Sequence, residues 1–191
     1  MSSVSIPNWS PAGILPPIDV VDPTSANRSP YRASLADLVL RFGTSKERCT
    51  ILDGLLRYRA ALHAAGLVVG FQWIDGSFLE QVETLAGRAP NDVDVVTFYR
   101  IATGDTPNAV VARNPDLFVQ ARVKQNFKVD GYLVPLDAEA TFLVENSAYW
   151  YGVWSHRRDG TWKGFVEIDL TPAETPALDL LKTLPVAGGK P

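Results

Sequence analysis

Cysteine and histidine are almost missing from this chain. Cys49 is the single cysteine among 191 residues, so no internal disulfide framework can exist. His63 and His156 are the only histidines, too few to build zinc spacing with one thiol. No Walker or Rossmann glycine pattern occurs, which removes the common phosphate-loop classes. A Gly-Ser pair is present, but it lacks the flanks of a nucleophile elbow. No apolar run is long enough to span a bilayer, and Asp19 and Asp22 interrupt the early apolar residues, so neither a membrane segment nor a signal peptide is expected. Net charge is small as well: it is formally -3, so any nucleic-acid contact must come from a local basic patch. Together with the lone thiol, these absences predict a cytoplasmic protein.

What is present is apolar and patterned. Hydrophobic residues make up 46% of the sequence, ample for one packed domain with an appendage. Residues 1–33 carry Pro7, Pro11, Pro16, Pro17, Pro23 and Pro30, which forbids a regular helix or central strand. Trp9, Ile14, Leu15 and Ile18 are too apolar for a free tail. This predicts an extended arm over residues 1–33, a main domain over 34–170 and a tail over 171–191.

Leu35, Leu38, Val39 and Phe42 recur at helical steps and stop at Gly43. Thr44 with Glu47 reads as a capping box for a second helix that ends at Gly66. Leu67–Ile74 reads as a strand, Ser77–Leu85 as a short helix, and Asp92–Tyr99 as a second strand. Thr103–Asn108 is loop, Asn114-Pro115 opens a helix, and Lys128–Val134 is a third strand holding Asp130. Asp137 is placed to cap a helix through Phe142–Val144, and Ala177–Leu184 to form another, before a loose Gly188–Pro191 end. Asp159-Gly160 is a turn signal between aromatic arms, which predicts a C-terminal β-hairpin over Tyr149–Leu170. Its rings could serve as core, as cover for the arm, or as a stacking platform for a base.

The chemistry-bearing stretch is Phe71–Arg100. Gly76-Ser77 follows an apolar run, and Asp92-x-Asp94 opens the next. A period of two places both aspartates on one face of a strand. A glycine turn offers backbone donors to phosphate, and paired carboxylates suit Mg²⁺ or Mn²⁺. Asp130, in a neighbouring short strand, is the third carboxylate, costly to bury unless paired or metal-bound. Arg122, Lys124 and Lys128 form a basic cluster, either an ordinary solvated face or a contact for a phosphate-bearing acceptor.

In this order, strand, Gly-Ser, short helix, Asp-x-Asp strand and a later strand with one Asp, the chain resembles the DNA polymerase β-like nucleotidyltransferase superfamily, and its small bacterial members in particular. The phrasing WIDGSF with PNDVDVVTF also resembles an uncharacterised bacterial family. The resemblance implies an α+β fold, a nucleotidyltransferase-type mixed β-sheet flanked by helices. It implies that Gly76 and Ser77 grip the triphosphate of an NTP. Asp92, Asp94 and Asp130 would be the catalytic, metal-holding carboxylates, with ATP or another NTP as substrate. The acceptor would be an RNA, a protein or a small molecule, in a setting such as toxin–antitoxin pairs or phage defence. Two other uses of the same residues stay open: a non-catalytic nucleotide- or partner-binding module, and a metal phosphohydrolase.

Overall fold

A computed structural model describes residues 6–184. The expected loose end at Gly188–Pro191 lies outside the described residues. The architecture is α+β: a five-stranded mixed sheet with helices against it. The strands are β1 (Tyr31–Ala33), β2 (Val69–Asp75), β3 (Val93–Arg100), β4 (Val129–Pro135) and β5 (Val166–Asp169), in the spatial order β1-β5-β2-β3-β4. β2 runs antiparallel to both of its neighbours, while β3 and β4 are parallel, as are β1 and β5.

The helices follow their apolar spacing. α1 (Leu35–Phe42) buries Leu35, Leu38, Val39 and Phe42, and Ser34 with Asp37 forms a complete capping box. α2 (Lys46–Ala64) buries Ile51, Leu52, Leu55, Leu56 and Leu62. Fully burying one such leucine contributes about 2 kcal/mol, so Leu55→Ala, with its added cavity, should cost about 2–5 kcal/mol. Gly54 is obligatory on this helix, because a Cβ there would sit 1.9 Å from the Phe127 carbonyl oxygen. The cap of α2 is Ser45, whose hydroxyl accepts from the Arg48 amide, and not Thr44. That one-residue shift places Arg48 at the third helical position, so Glu47 has no capping-box role.

α3 (Val82–Ala86) follows a short 3-10 turn at Ser77–Leu79. The crossover between parallel β3 and β4 holds α4 (Pro107–Arg113), a second 3-10 turn at Pro115–Phe118 and α5 (Gln120–Phe127). α6 (Ala140–Trp154) and α7 (Glu174–Thr183) complete the chain. Among the described residues, no helix is long and apolar enough to cross a membrane.

The C-terminal β-hairpin expected over Tyr149–Leu170 does not form. Tyr149–Trp154 is the end of α6, and only a single bridge, His156 to Trp162, flanks the Asp159-Gly160 turn. β5 pairs instead with β1 and β2, far away in sequence. Local aromatic content favours strand, but long-range pairing takes the downstream arm and a helix takes the upstream one. Asp137 does not cap α6 either; it accepts from Arg100 (2.6 Å) and from the Ile101 amide (3.1 Å).

The N-terminal segment is packed, with Ile6, Ile14 and Leu15 buried. Two arginines are fully buried in α2. Arg59 donates to Gln72 of β2 (2.7 Å), to Glu174 of α7 (2.8 Å) and to the Asp169 carbonyl (3.0 Å), tying helix, sheet and tail together. Burying a guanidinium is tolerated only with such complete pairing. Arg48 plays the corresponding part beside the site.

Candidate functional site

Sheet register builds the site. Asp75 at the end of β2 is the partner of Asp94 in β3, and Asp94 is the partner of Asp130 in β4. Partners across a ladder point to the same face, so three carboxylates stand in one row across three strands. Asp92, one residue before β3, joins them at the mouth of a cleft of about 770 Å³. Gly76, Ser77, Asp92, Asp94 and Asp130 all line this cleft.

Gly76 makes the turn that leaves β2. Its φ is 89°, a conformation L side chains rarely adopt, and a Cβ there would lie 2.8 Å from Asp94 Oδ2. The glycine therefore serves both backbone geometry and close approach to the carboxylate. Beyond it, the segment to Glu83 is braced from several directions. Arg48 donates to the Phe78 and Glu80 carbonyls, both at 2.6 Å, and grips Glu83 through two nitrogens at 2.6 and 2.9 Å. Trp9 donates its indole N–H to the Leu79 carbonyl (2.7 Å), and the Gln81 amide donates to Gly13 (2.7 Å). The proline-rich arm is thus part of the scaffold of the turn.

Two lysines neutralise the acids. Lys163, from the loop after α6, is buried and donates to both Asp75 oxygens at 2.5 and 2.6 Å, with Glu80 at 3.8 Å. Burial pushes the Asp75 carboxyl up, and Lys163 pulls it back. Lys124 of α5 reaches Asp92 at 2.7 Å and Asp130 at 3.2 Å. Its hydrogen bond to Asp92 is the first cause that holds the ammonium above its ordinary pKa. Gln120 donates to Asp130 and, at 2.7 Å, to the Tyr132 hydroxyl.

Among the described residues, Asp94 has no such ion-paired lysine. Burial, then repulsion from Asp92 and Asp130, raises its carboxyl to about 6, with Lys163 and Lys124 opposing. A carboxylate crowded by two others in a half-buried row is a place where an added cation is favoured. Among the described residues, no group of three or more His, Cys, Asp or Glu side chains stands in the arrangement of a formed metal cage. The Lys124 ammonium is the group that bridges Asp92 and Asp130, the charge a divalent cation would replace. Oxygen-only ligands suit Mg²⁺ or Mn²⁺, so the donor set fits such an ion.

The structure brings all five sequence-chosen residues to one cleft. It does not bring the whole basic cluster: Lys124 lines the cleft, whereas Arg122 and Lys128 are not in its lining. Sequence reasoning misses Asp75, Lys163 and Arg48 as site residues. Asp75 reads as part of an Asp-Gly turn signal, and neither lysine nor arginine carries any local mark of burial. A signal did exist for Asp75, since it continues the alternation of Phe71 and Trp73 on one face of β2. The cleft's remaining wall is aromatic and basic, with Tyr132, Tyr149, Trp150, Arg157 and Arg158.

No curated protein and no solved structure matches the chain. One family model covers residues 7–169, a span that holds most of the arm, the whole sheet and every cleft residue named above. The chain therefore belongs to DUF6932, a family of unknown function.

Proposed function

We propose that the protein is a metal-dependent nucleotidyltransferase of the DNA polymerase β-like kind, moving a nucleotidyl group from an NTP to an acceptor hydroxyl. The observation that carries the reading is the register of Asp94 with Asp130 beside the Gly76 turn, with Asp92 at the same mouth. Two parallel strands present acids to one point, and an antiparallel neighbour presents a glycine turn to the same point.

In this reading Gly76 and Ser77 receive the triphosphate, and Asp92, Asp94 and Asp130 would hold Mg²⁺ or Mn²⁺. The ion, when bound, supplies charge neutralisation at the phosphate oxygens. The acceptor oxygen forms a bond to the α-phosphorus, the bond to the bridging oxygen breaks, and pyrophosphate leaves. Asp130, at the edge of the row, takes the hydroxyl proton. Arg48 and Lys163 keep the turn and the carboxylate row in place. The acceptor is an RNA, a protein or a small molecule; a role in toxin–antitoxin pairs or phage defence is part of the same reading.

One observation favours a second reading. Lys124 already satisfies Asp92 and Asp130, which is what a non-catalytic nucleotide- or partner-binding module would keep. The test is labelling with α-phosphate-labelled NTPs, Mg²⁺ or Mn²⁺ and a cell extract. Transfer by the wild type that Asp92→Ala/Asp94→Ala abolishes supports the enzyme. NTP-dependent thermal stabilisation without any labelled product supports the binding module.

A further inference from the structure

The cleft continues past the carboxylates into a wall that transfer chemistry alone does not require. Tyr132 lies two residues beyond Asp130 on the same face of β4, about 7 Å along the strand. Trp150 of α6 meets the Tyr132 ring at 4.5 Å between centroids, and Tyr149 meets Trp150 at 5.1 Å. All three line the cleft.

α6 divides its aromatic residues by direction. Tyr151 and Trp154 turn toward Phe165, at 5.6 and 6.1 Å between centroids, and Trp154 is buried. Tyr149 and Val153 remain 60% and 40% exposed on the cleft side. Of the fifteen residues of this apolar helix, only Trp154 is buried. Tyr149, left open to a polar cleft beside the half-buried Trp150 and Tyr132, points to an apolar, planar occupant. Basic groups stand at the same wall: Arg158 is exposed at the cleft, and half-buried Arg157 is held by Glu80 at 3.4 Å and Asp159 at 4.0 Å. Stacking rings beside guanidinium groups are the chemistry that receives a nucleobase and its phosphates.

We infer that Tyr149, Trp150 and Tyr132 form a nucleobase-stacking subsite, one sugar's distance from the carboxylate row. This rests on the nucleotide reading of the same cleft and deepens it. The base comes either from the NTP or from a nucleotide of the acceptor; the chemistry of the wall is the same for both.

The experiment titrates the full chain with ATP, with inorganic tripolyphosphate and with single-stranded oligoadenylate, in Mg²⁺, by calorimetry. Tyr149→Ala is the surface variant, and Trp150→Ala and Trp150→Phe are the paired variants, each checked by thermal melting. Stacking is worth roughly 1–3 kcal/mol per base, so the alanine variants should lose about tenfold in affinity for the base-bearing ligand. Tripolyphosphate binding should not change, and Trp150→Phe should retain most of the affinity. A loss confined to ATP assigns the donor's base; a loss confined to the oligonucleotide assigns the acceptor's.

Equal binding of ATP and oligonucleotide by wild type and both alanine variants would overturn the subsite and leave the transferase reading standing. So would equal losses for tripolyphosphate, which mark general damage. If the wild type binds none of the three, both the subsite and the transferase reading fall.

Discussion

Asp94 and Asp130 are register partners on parallel strands, although 35 residues separate them in sequence. Two like charges held this way are stable only with help. Here Lys124 helps Asp130, and Asp94 is left with the cost.

That cost should be visible in stability. Asp94 has its carboxyl raised from 3.8 to about 6, so the native state prefers it protonated. Its contribution is fully present below about 3.8 and is lost as pH rises through about 6. Without divalent ions, Asp94→Asn should be more stable than wild type at neutral pH, by about 1–3 kcal/mol. Thermal melting in EDTA from pH 4 to 8 should show the gap opening between these values and then staying level. Parallel curves would mean that Asp94 carries no such burden.

Gly76→Ala tests the turn. The new methyl would meet Asp94 in a backbone conformation unfavourable to alanine, costing about 1–3 kcal/mol. Urea unfolding should report that loss, and Mn²⁺ affinity should fall with it because Asp94 is displaced. Unfolding unchanged from wild type would mean that the turn relaxes freely.

Lys124→Met separates the ammonium from the cation it stands in for. Removing it leaves Asp92 and Asp130 uncompensated, so the metal-free protein should melt lower while Mn²⁺ binds several-fold more tightly. Weaker Mn²⁺ binding would show instead that Lys124 assists the ion.

Arg48→Met removes the brace under the turn. It leaves Glu83 and two carbonyls without their donor, and breaking such a buried network costs about 3–5 kcal/mol. Glu83→Gln should cost less, since it keeps an acceptor for Arg48 and leaves both carbonyl bonds in place, although the fully buried guanidinium loses its carboxylate. A similar loss for the two variants in chemical denaturation would move the weight of the network onto the carboxylate.

Much of this arrangement is legible in the residues themselves. α1 and α2 follow from leucine spacing, and β2, β3 and β4 follow from apolar runs and alternation interrupted by glycine and proline. That is why Gly76, Ser77, Asp92, Asp94 and Asp130 could be singled out. What is not legible depends on distant partners. Tyr149–Trp154 has strand-forming rings and a turn signal beside it, yet it is helical because β5 pairs with β1 and β2 instead. Asp75 looks like half of a turn until β3 is set beside it, and Lys163 becomes a buried cation only when its loop crosses the end of β2.

The position of β5 also bears on synthesis. It is the last of the five strands among the described residues, yet it sits between β1, the first of them, and β2. Until residues 166–169 leave the ribosome, β1 has no neighbour in the sheet and β2 has one open edge. Such late, non-local closure slows folding and leaves strand edges exposed in the interval. A nascent chain stalled before Val166 would thus present an unsealed β-edge to chaperones, and release past Asp169 would be the step that seals it.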